Sequence, residues 1–275
     1  MEPPATPAEH AASVGLDLVL AGRGQDRLAL EALAGRLGAD IRLFSLDDPD
    51  AIGRGLEGVS VLLNTAGPFM NTAELLMSAA IRAGVHYLDF SAELDTYREA
   101  LALDGQARAL GVMLLPGSGG SVAMLGSLAS HAVARVKDPR KISIALYVSG
   151  AKSRGSVASA SQNIVTETLR LVDSELVAHS PEEVRDFDFG KGPQSSFPVT
   201  LPDLVTIHQA TGVSHIETFV HVTAGAFSTG DVKDLPAGPS TEERAANRYP
   251  AVAEVTGSDG KTTRMRLDMV TASPR

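Results

Sequence analysis

The chain has 275 residues, 44% hydrophobic and 21% charged, with 4% aromatics, no tryptophan, no cysteine and a formal charge of −9. This length admits one large domain or two modest ones, with a core built from Leu, Val, Ile and Ala in the manner of α/β proteins. A chain without cysteine forms no disulfide, thiolate zinc site or iron–sulfur cluster, and the acidic balance, with no basic run longer than two residues, argues against nucleic acid as the partner.

The opening "MEPPATPAEHAASVG" has neither a basic segment nor an apolar stretch, so no secretory signal is expected. No apolar run approaches the ~18 residues of a membrane span, and a cytoplasmic protein is expected. Leu16–Ala21 is a short apolar run of the kind that forms a parallel strand buried on both faces. Asp26–Leu37 carries Leu28, Leu30, Leu33, Ala34 and Leu37 near helical spacing. Asp40–Phe44 reads as a strand, Asp50–Gly55 as a helical turn or two, and "VSVLLN", Val59–Asn64, as a third strand closed by "TAGPF". Thr72 is placed to cap a helix with Leu75, Leu76, Ala79, Ala80 and Ala83 as its apolar stripe and Gly84 at its end. A strand at His86–Phe90, a helix at Leu94–Leu110 and a strand at Val112–Leu115 follow. This alternation predicts a parallel sheet with helices on both faces.

The pattern changes near residue 120. "GSGGS" leads into a helix, Val122–Val136, and Lys141–Ser149 alternates as a strand with one covered face, typical of an antiparallel or mixed sheet. Ser156–Val172 reads as a helix, Ser180–Asp203 as loop and Ile216–Thr223 as a strand. Ala224–Asn247 reads as a flexible loop, and Val252–Thr256 with Thr262–Met269 as a hairpin across "GSDGK". The expected division is therefore 1–118, Rossmann-like, and 119–275, α+β.

Several residues could carry chemistry. Gly22-Arg23 closes the first recognisable strand. In a doubly wound fold an arginine there pairs with the 2′-phosphate of NADP, whereas NAD calls for an acidic residue; the alternative is a solvated surface arginine. "NTAGPF", Asn64–Phe69, ends a buried strand where open α/β sheets bind ligands, or it is a tight connection with no ligand. "PGSGGS" mimics a phosphate loop, yet the pattern G-x-G-x-x-G fails at Val122. In Lys152–Ala160, Arg154 could face an anionic group, but a simple helix cap by Ser153 or Ser156 is the preferred reading. His215, Glu217 and His221 share one strand face, but roughly 20 Å separates the histidines, so one ion does not bridge them.

"DLVLAGR", "VLLNTAGPF", "AAIRAGVHYLDFSAE", "LLPGSGG" and "AKSRGSVASA", in this order, resemble the saccharopine-dehydrogenase-like family, which includes saccharopine reductases and trans-acting enoyl reductases. The resemblance implies a Rossmann domain, an α+β domain with a mixed sheet used for dimer contacts, and NAD(P)-linked hydride transfer in the cleft between them on a C=N or C=C substrate, small or lipid-linked. It implies NADP rather than NAD. Carried onto this chain, it makes Arg23 the 2′-phosphate ligand and Asn64, Thr65, Ala66, Gly67 and Pro68 the wall of the dinucleotide groove. Tyr87, Asp89 and Glu93 become candidates at the nicotinamide or substrate end. Their alternative is structural, Tyr87 and Asp89 sharing a strand face and Glu93 capping a helix.

A member of that family opens with a strand, a glycine-rich turn and a helix. Here the first glycine is Gly15, and "AEHAASVGLDLVLAGR" corresponds to the end of that helix and the second strand. Three explanations stand: a shortened version of an ordinary enzyme, a rearrangement in which Leu16–Ala21 pairs directly with Val59–Asn64, or a degenerate, non-catalytic homologue that dimerises or binds a partner.

Overall fold

The computed structural model describes residues 6–119, 121–150, 167–223, 240, 242 and 248–270. The chain divides into two units. Unit 1 is Met1–Asp89 with Glu99–Pro116, and unit 2 is Phe90–Arg98 with Gly117–Arg275.

Unit 1 alternates strand and helix. Helix α1, Pro7–Ser13, is opened by a capping box in which the Thr6 hydroxyl accepts from Glu9 N and the Glu9 carboxylate accepts from Thr6 N. Strand β1 (Val19–Gly22), helix α2 (Arg27–Leu37), strand β2 (Asp40–Leu43) and helix α3 (Pro49–Gly55) follow, with Asp48 capping α3. Then come β3 (Val61–Asn64), α4 (Ala73–Ala83) and β4 (His86–Asp89). After α5 (Leu94–Ala102) and α6 (Asp104–Ala109), β5 (Leu114–Leu115) completes the set.

The helix expected over 94–110 is thus broken. Leu103, buried in the core with ψ −6°, separates α5 from α6. The stripe expected on α4 is also rotated. Leu75 is exposed, while Met77 and Ile81 join Leu76, Ala79 and Ala80 inside, because i, i+4 neighbours share a face. These side chains pack with Ile52, Leu56, Val85, Tyr87 and Ala107 into one apolar cluster. Each large aliphatic side chain buried there contributes roughly 1.5–3 kcal/mol.

The strands of unit 1 are parallel but form two sheets, β1–β2 and β3–β4–β5. Direct pairing of β1 with β3, one of the three explanations considered above, is therefore not what the chain does. Among the described residues β1 bonds only to β2, and β3 only to β4. Val61 and Leu63 of β3 are 49% and 40% exposed, unusual for a parallel strand, which ordinarily has both faces covered.

Unit 2 takes in the start of α5, up to Arg98, and continues with α7 (Ser121–Val133) and β6 (Pro139–Val148). Strands β7 (Leu169–Val172), β8 (Glu175–Ala178), β9 (Arg185–Asp188) and β10 (Pro193–Pro198) lead to helix α8 (Asp203–Thr211). Then follow β11 (Ile216–Val222), β12 (Arg248–Gly257) and β13 (Thr262–Val270). The eight strands make one mixed sheet with the path β13-β12-β6-β11-β10-β9, with β7 on β11 and β8 on β7. Only β6 and β11 run parallel in it. The hairpin across "GSDGK" is present as β12–β13.

Three expectations fail here. First, β6 is covered on both faces. Ile142 and Ile144 pack with Leu125, Leu128, Leu204 and Ile207 of α7 and α8, while Ala145 on the other face packs with Phe187, Phe219 and Val252. Second, Leu169–Val172 is a strand, not the end of a helix. It turns into β8 through Asp173 and Ser174, at φ +50° and +69°, the left-handed pair of a two-residue hairpin. Third, the supposed loop over 180–203 contains β9 and β10, whose prolines sit at the strand ends, where a missing N–H is tolerated. The expected helix over 156–166 and most of the loop over 224–247 lie outside the described residues.

Candidate functional site

The end of β1 is built for close packing followed by exposure. At Gly22 a Cβ would stand 2.7 Å from Leu30 Cδ1, so the strand approaches α2 as only glycine allows. The next residue, Arg23, is 68% exposed along its side chain. Asp26 accepts from its backbone N at 3.3 Å and its Nε at 3.4 Å, which fixes the backbone and the inner edge of the guanidinium. Among the described residues Nη1 and Nη2 have no partner, so the outer fork is available to an anion.

The end of β3 is held differently. Asn64 is 2% exposed. Its Nδ2 donates to Thr72 Oγ1 and to Tyr87 Oη, both at 3.1 Å, and its Oδ1 accepts from Ala66 N at 2.9 Å. The Thr72 hydroxyl donates to Ala66 O at 2.8 Å. The Tyr87 phenol donates to Asp89 Oδ2 at 2.7 Å. The loop is thus anchored from beneath, while Thr65, Ala66 and Gly67 face solvent. A Cβ on Gly67 would meet only Phe69, at 3.8 Å, so there is space for a ligand against the backbone. The Gly67–Pro68 peptide is cis.

The structure therefore brings Asn64, Ala66, Tyr87 and Asp89 into one network in unit 1, where Gly22 and Arg23 also lie. Glu93 belongs to unit 2. It is 6% exposed, its backbone N donates to Ser91 Oγ, and its carbonyl accepts from Thr96 N. Tyr87 and Asp89 are wholly buried. They hold the loop rather than line a surface. Thr72, expected as a helix cap, makes no cap hydrogen bond; its hydroxyl is drawn to Asn64 and Ala66 instead. Nothing in the spacing marks Thr72 for that role, because the loop folds back on itself.

Within "PGSGGS", Gly117 is a packing position. Gly117, at φ +59°, has no room for a Cβ, which would fall 1.7 Å from Tyr97 Oη and 2.7 Å from Ser91 O. Tyr97 Oη in turn donates to Ser91 O at 3.2 Å. Lys152–Ala160, with Arg154, lies outside the described residues. No group of three or more His, Asp or Glu among the described residues could hold a metal ion. Glu217 pairs with Lys141, and His221 stacks on Tyr147 with centroids 4.9 Å apart.

The buried carboxyls of unit 2 differ sharply. Burial pushes Asp203, in the first turn of α8, up to about 7, with its own backbone N–H opposing, and its Oδ1 has no partner among the described residues. Burial also pushes Glu217 up, but the Lys141 hydrogen bond and charge, with Arg185 and His179, outweigh it and hold the carboxyl below its ordinary value.

Residues 6–115 match the family model of the saccharopine dehydrogenase NADP binding domain. The matched segment takes in β1 through β5, and so Arg23, the Asn64 loop, Tyr87 and Asp89. No curated protein sequence matches the chain. Among solved structures, apo saccharopine dehydrogenase (L-Glu forming) from Saccharomyces cerevisiae is similar over 97% of this chain and 83% of its own, with a TM-score of 0.58 at 11% identity. That likeness establishes the α/β fold with its parallel N-terminal strands and mixed C-terminal sheet. A probable dehydrogenase from Thermotoga maritima has a TM-score of 0.46 at 14% identity, covering 95% of this chain and 71% of its own. An oxidoreductase domain protein from Kribbella flavida has 0.44 at 17%, covering 95% and 68%. No helix among the described residues is long and apolar enough to cross a membrane.

Proposed function

We propose that this chain is an NADP-dependent oxidoreductase that transfers hydride to or from a C=N or C=C bond, with residues 1–118 holding the dinucleotide and 119–275 the substrate. The observation that carries this reading is Arg23, an exposed guanidinium with its inner edge fixed by Asp26 and its outer fork open, at the carboxyl end of a parallel strand. A planar fork pairs two phosphate oxygens at once, which favours a 2′-phosphate over a bare ribose hydroxyl.

The residues fit part of the cofactor. Arg23 would hold the 2′-phosphate, and the backbone of Thr65–Pro68 would line the dinucleotide. NADPH, when bound, supplies the hydride. Asn64, Thr72, Tyr87 and Asp89 keep the loop in one shape before the ligand arrives, so less ordering is lost on binding. In this reading Tyr87 and Asp89 are positioning residues. Among the described residues no glycine-rich turn at a helix N-terminus serves the pyrophosphate. The exposed apolar Val61 and Leu63 favour a second reading, a partner-binding homologue without cofactor.

Titration of the full chain with NADPH, followed by nicotinamide fluorescence, separates the two. Saturable binding supports the enzyme. No binding at millimolar cofactor supports the partner-binding reading.

A further inference from the structure

Unit 2 carries a cavity of about 490 Å³, lined by Lys141, Ser143, Arg170, Arg185, Glu217 and Glu254 among others. It opens on the sheet face away from α7 and α8. The neighbours of its strand residues, Ile142, Ile144, Ile216, Ala253 and Val255, point the other way into the helix-covered core. The network around Asn64 belongs to unit 1, and the residues of this cavity belong to unit 2.

Its hydrogen-bond inventory is unbalanced. Glu217 Oε1 accepts from Lys141 Nζ at 2.8 Å and lies 3.6 Å from Arg170 Nη1. Glu217 Oε2 accepts from Ser143 Oγ at 3.2 Å and Arg185 Nη1 at 3.4 Å. Glu254 Oε1 takes Arg264 Nε at 2.8 Å and Nη2 at 2.6 Å, and Oε2 takes Arg185 Nη2 at 2.9 Å. These carboxylate oxygens have their partners.

The donors do not. Lys141, 44% exposed, uses one of its ammonium protons, on Glu217. Arg170 engages Glu183 and Glu217 through Nη1 alone, and its Nε is buried without a partner among the described residues. Behind them His179 is buried, and neither ring nitrogen completes a hydrogen bond, although Nε2 approaches Glu183 Oε2 to 3.2 Å. Four cations, Lys141, Arg170, Arg185 and Arg264, meet three carboxylates, Glu183, Glu217 and Glu254. Residual donors and a residual positive charge call for a ligand that only accepts. A metal cation would compete with arginines for occupied oxygens, and an apolar ligand would strand unpaired donors.

We infer that this cavity binds a small oxyanion, a phosphate or a carboxylate, through Lys141 and Arg170. Binding there would complete the donors of both side chains and leave the Arg185 bridge between Glu217 and Glu254 intact.

The test is calorimetric titration of the full chain with inorganic phosphate and, separately, with succinate, each against chloride at matched ionic strength. Saturable binding of either at millimolar concentration or below is expected, and the tighter of the two names the source chemistry. Lys141→Gln should weaken it about ten-fold or more. The loss caused by Lys141→Gln should be the same in an Arg23→Ala background, which separates this site from a phosphate subsite at β1. Lys261→Gln, on the exposed hairpin, should leave binding unchanged. Since removing Lys141 could unsettle Glu217, Lys141→Arg serves as the second variant. It keeps the charge and the Glu217 pair, and should retain binding and the unfolding temperature. Failure of both anions to saturate, or Lys141→Gln binding like the native chain, overturns the inference.

Discussion

The phenol of Tyr87 donates to the carboxylate of Asp89 at 2.7 Å, two residues along the same short strand, and neither side chain touches solvent. The same phenol oxygen accepts from Asn64, so the core of unit 1 reaches the exposed loop at Thr65–Gly67 through one chain of hydrogen bonds. Tyr87→Phe removes the central link and deprives the Asp89 carboxylate of this donor. We expect a loss of about 1–3 kcal/mol in urea unfolding. Cofactor binding should weaken beyond what a merely structural change elsewhere in unit 1 produces; Leu103→Ala is the comparison. Equal effects of the two variants on binding would remove the positioning role.

The parallel strand–helix order of unit 1 is readable in the sequence because its strands are short apolar runs punctuated by glycines at helix ends. Arg23 is readable for the same reason: it directly follows a strand. The loop network is not. Asn64 and Tyr87 are both polar residues in apolar strands, a visible anomaly, but their pairing depends on β3 and β4 being neighbours in register, Leu62 opposite Tyr87 and Asn64 opposite Asp89. Unit 2 is less legible. A hairpin turn without glycine at Asp173-Ser174 and strands ending in Pro193 and Pro198 hide β7 to β10 from pattern reading. The ionic cluster joins residues far apart in sequence, such as Ser143 and Glu217, which no local spacing reveals.

Gly117→Ala should be severely destabilising. A Cβ there meets Tyr97 Oη at 1.7 Å and backbone at Ser91, and the φ of +59° disfavours any side chain. A cost of more than about 2 kcal/mol is expected in chemical unfolding. Gly105→Ala, with nothing near its Cβ position and on helix α6, should be neutral or stabilising by a few tenths up to about 1 kcal/mol.

Asp203 makes the native state lose stability as the pH rises from acid towards neutral. Its carboxyl is raised to about 7 in the fold against 3.8 when exposed. Its unfolded form therefore ionises first, and the fold loses stability as the pH rises between those values, on the order of 4 kcal/mol in all. Asp203→Asn should be more stable than the native chain at about pH 8, and the advantage should shrink towards about pH 4. Urea midpoints at the two pH values read this directly. An advantage of the same size at both would exclude the titration as its cause.

Glu217 acts in the opposite sense. Its folded carboxyl is held below the ordinary 4.5, so its stabilising contribution is complete above that value and is lost as the pH falls through the lower folded one. Glu217→Gln should be least stable relative to the native chain near about pH 7, and the gap should close on acidification below about 4.5. A gap independent of pH would mean that packing, not charge, sets the cost.

The most direct measurement of the central claim is calorimetry of the native chain and of Arg23→Ala, each titrated with NADPH and with NADH at fixed ionic strength. The account predicts that the native chain binds NADPH at least about ten-fold more tightly than NADH. In Arg23→Ala the two cofactors should become nearly equal, while NADH affinity stays close to native. Preference for NADPH that survives the loss of Arg23, or a native chain that binds neither cofactor, would contradict it.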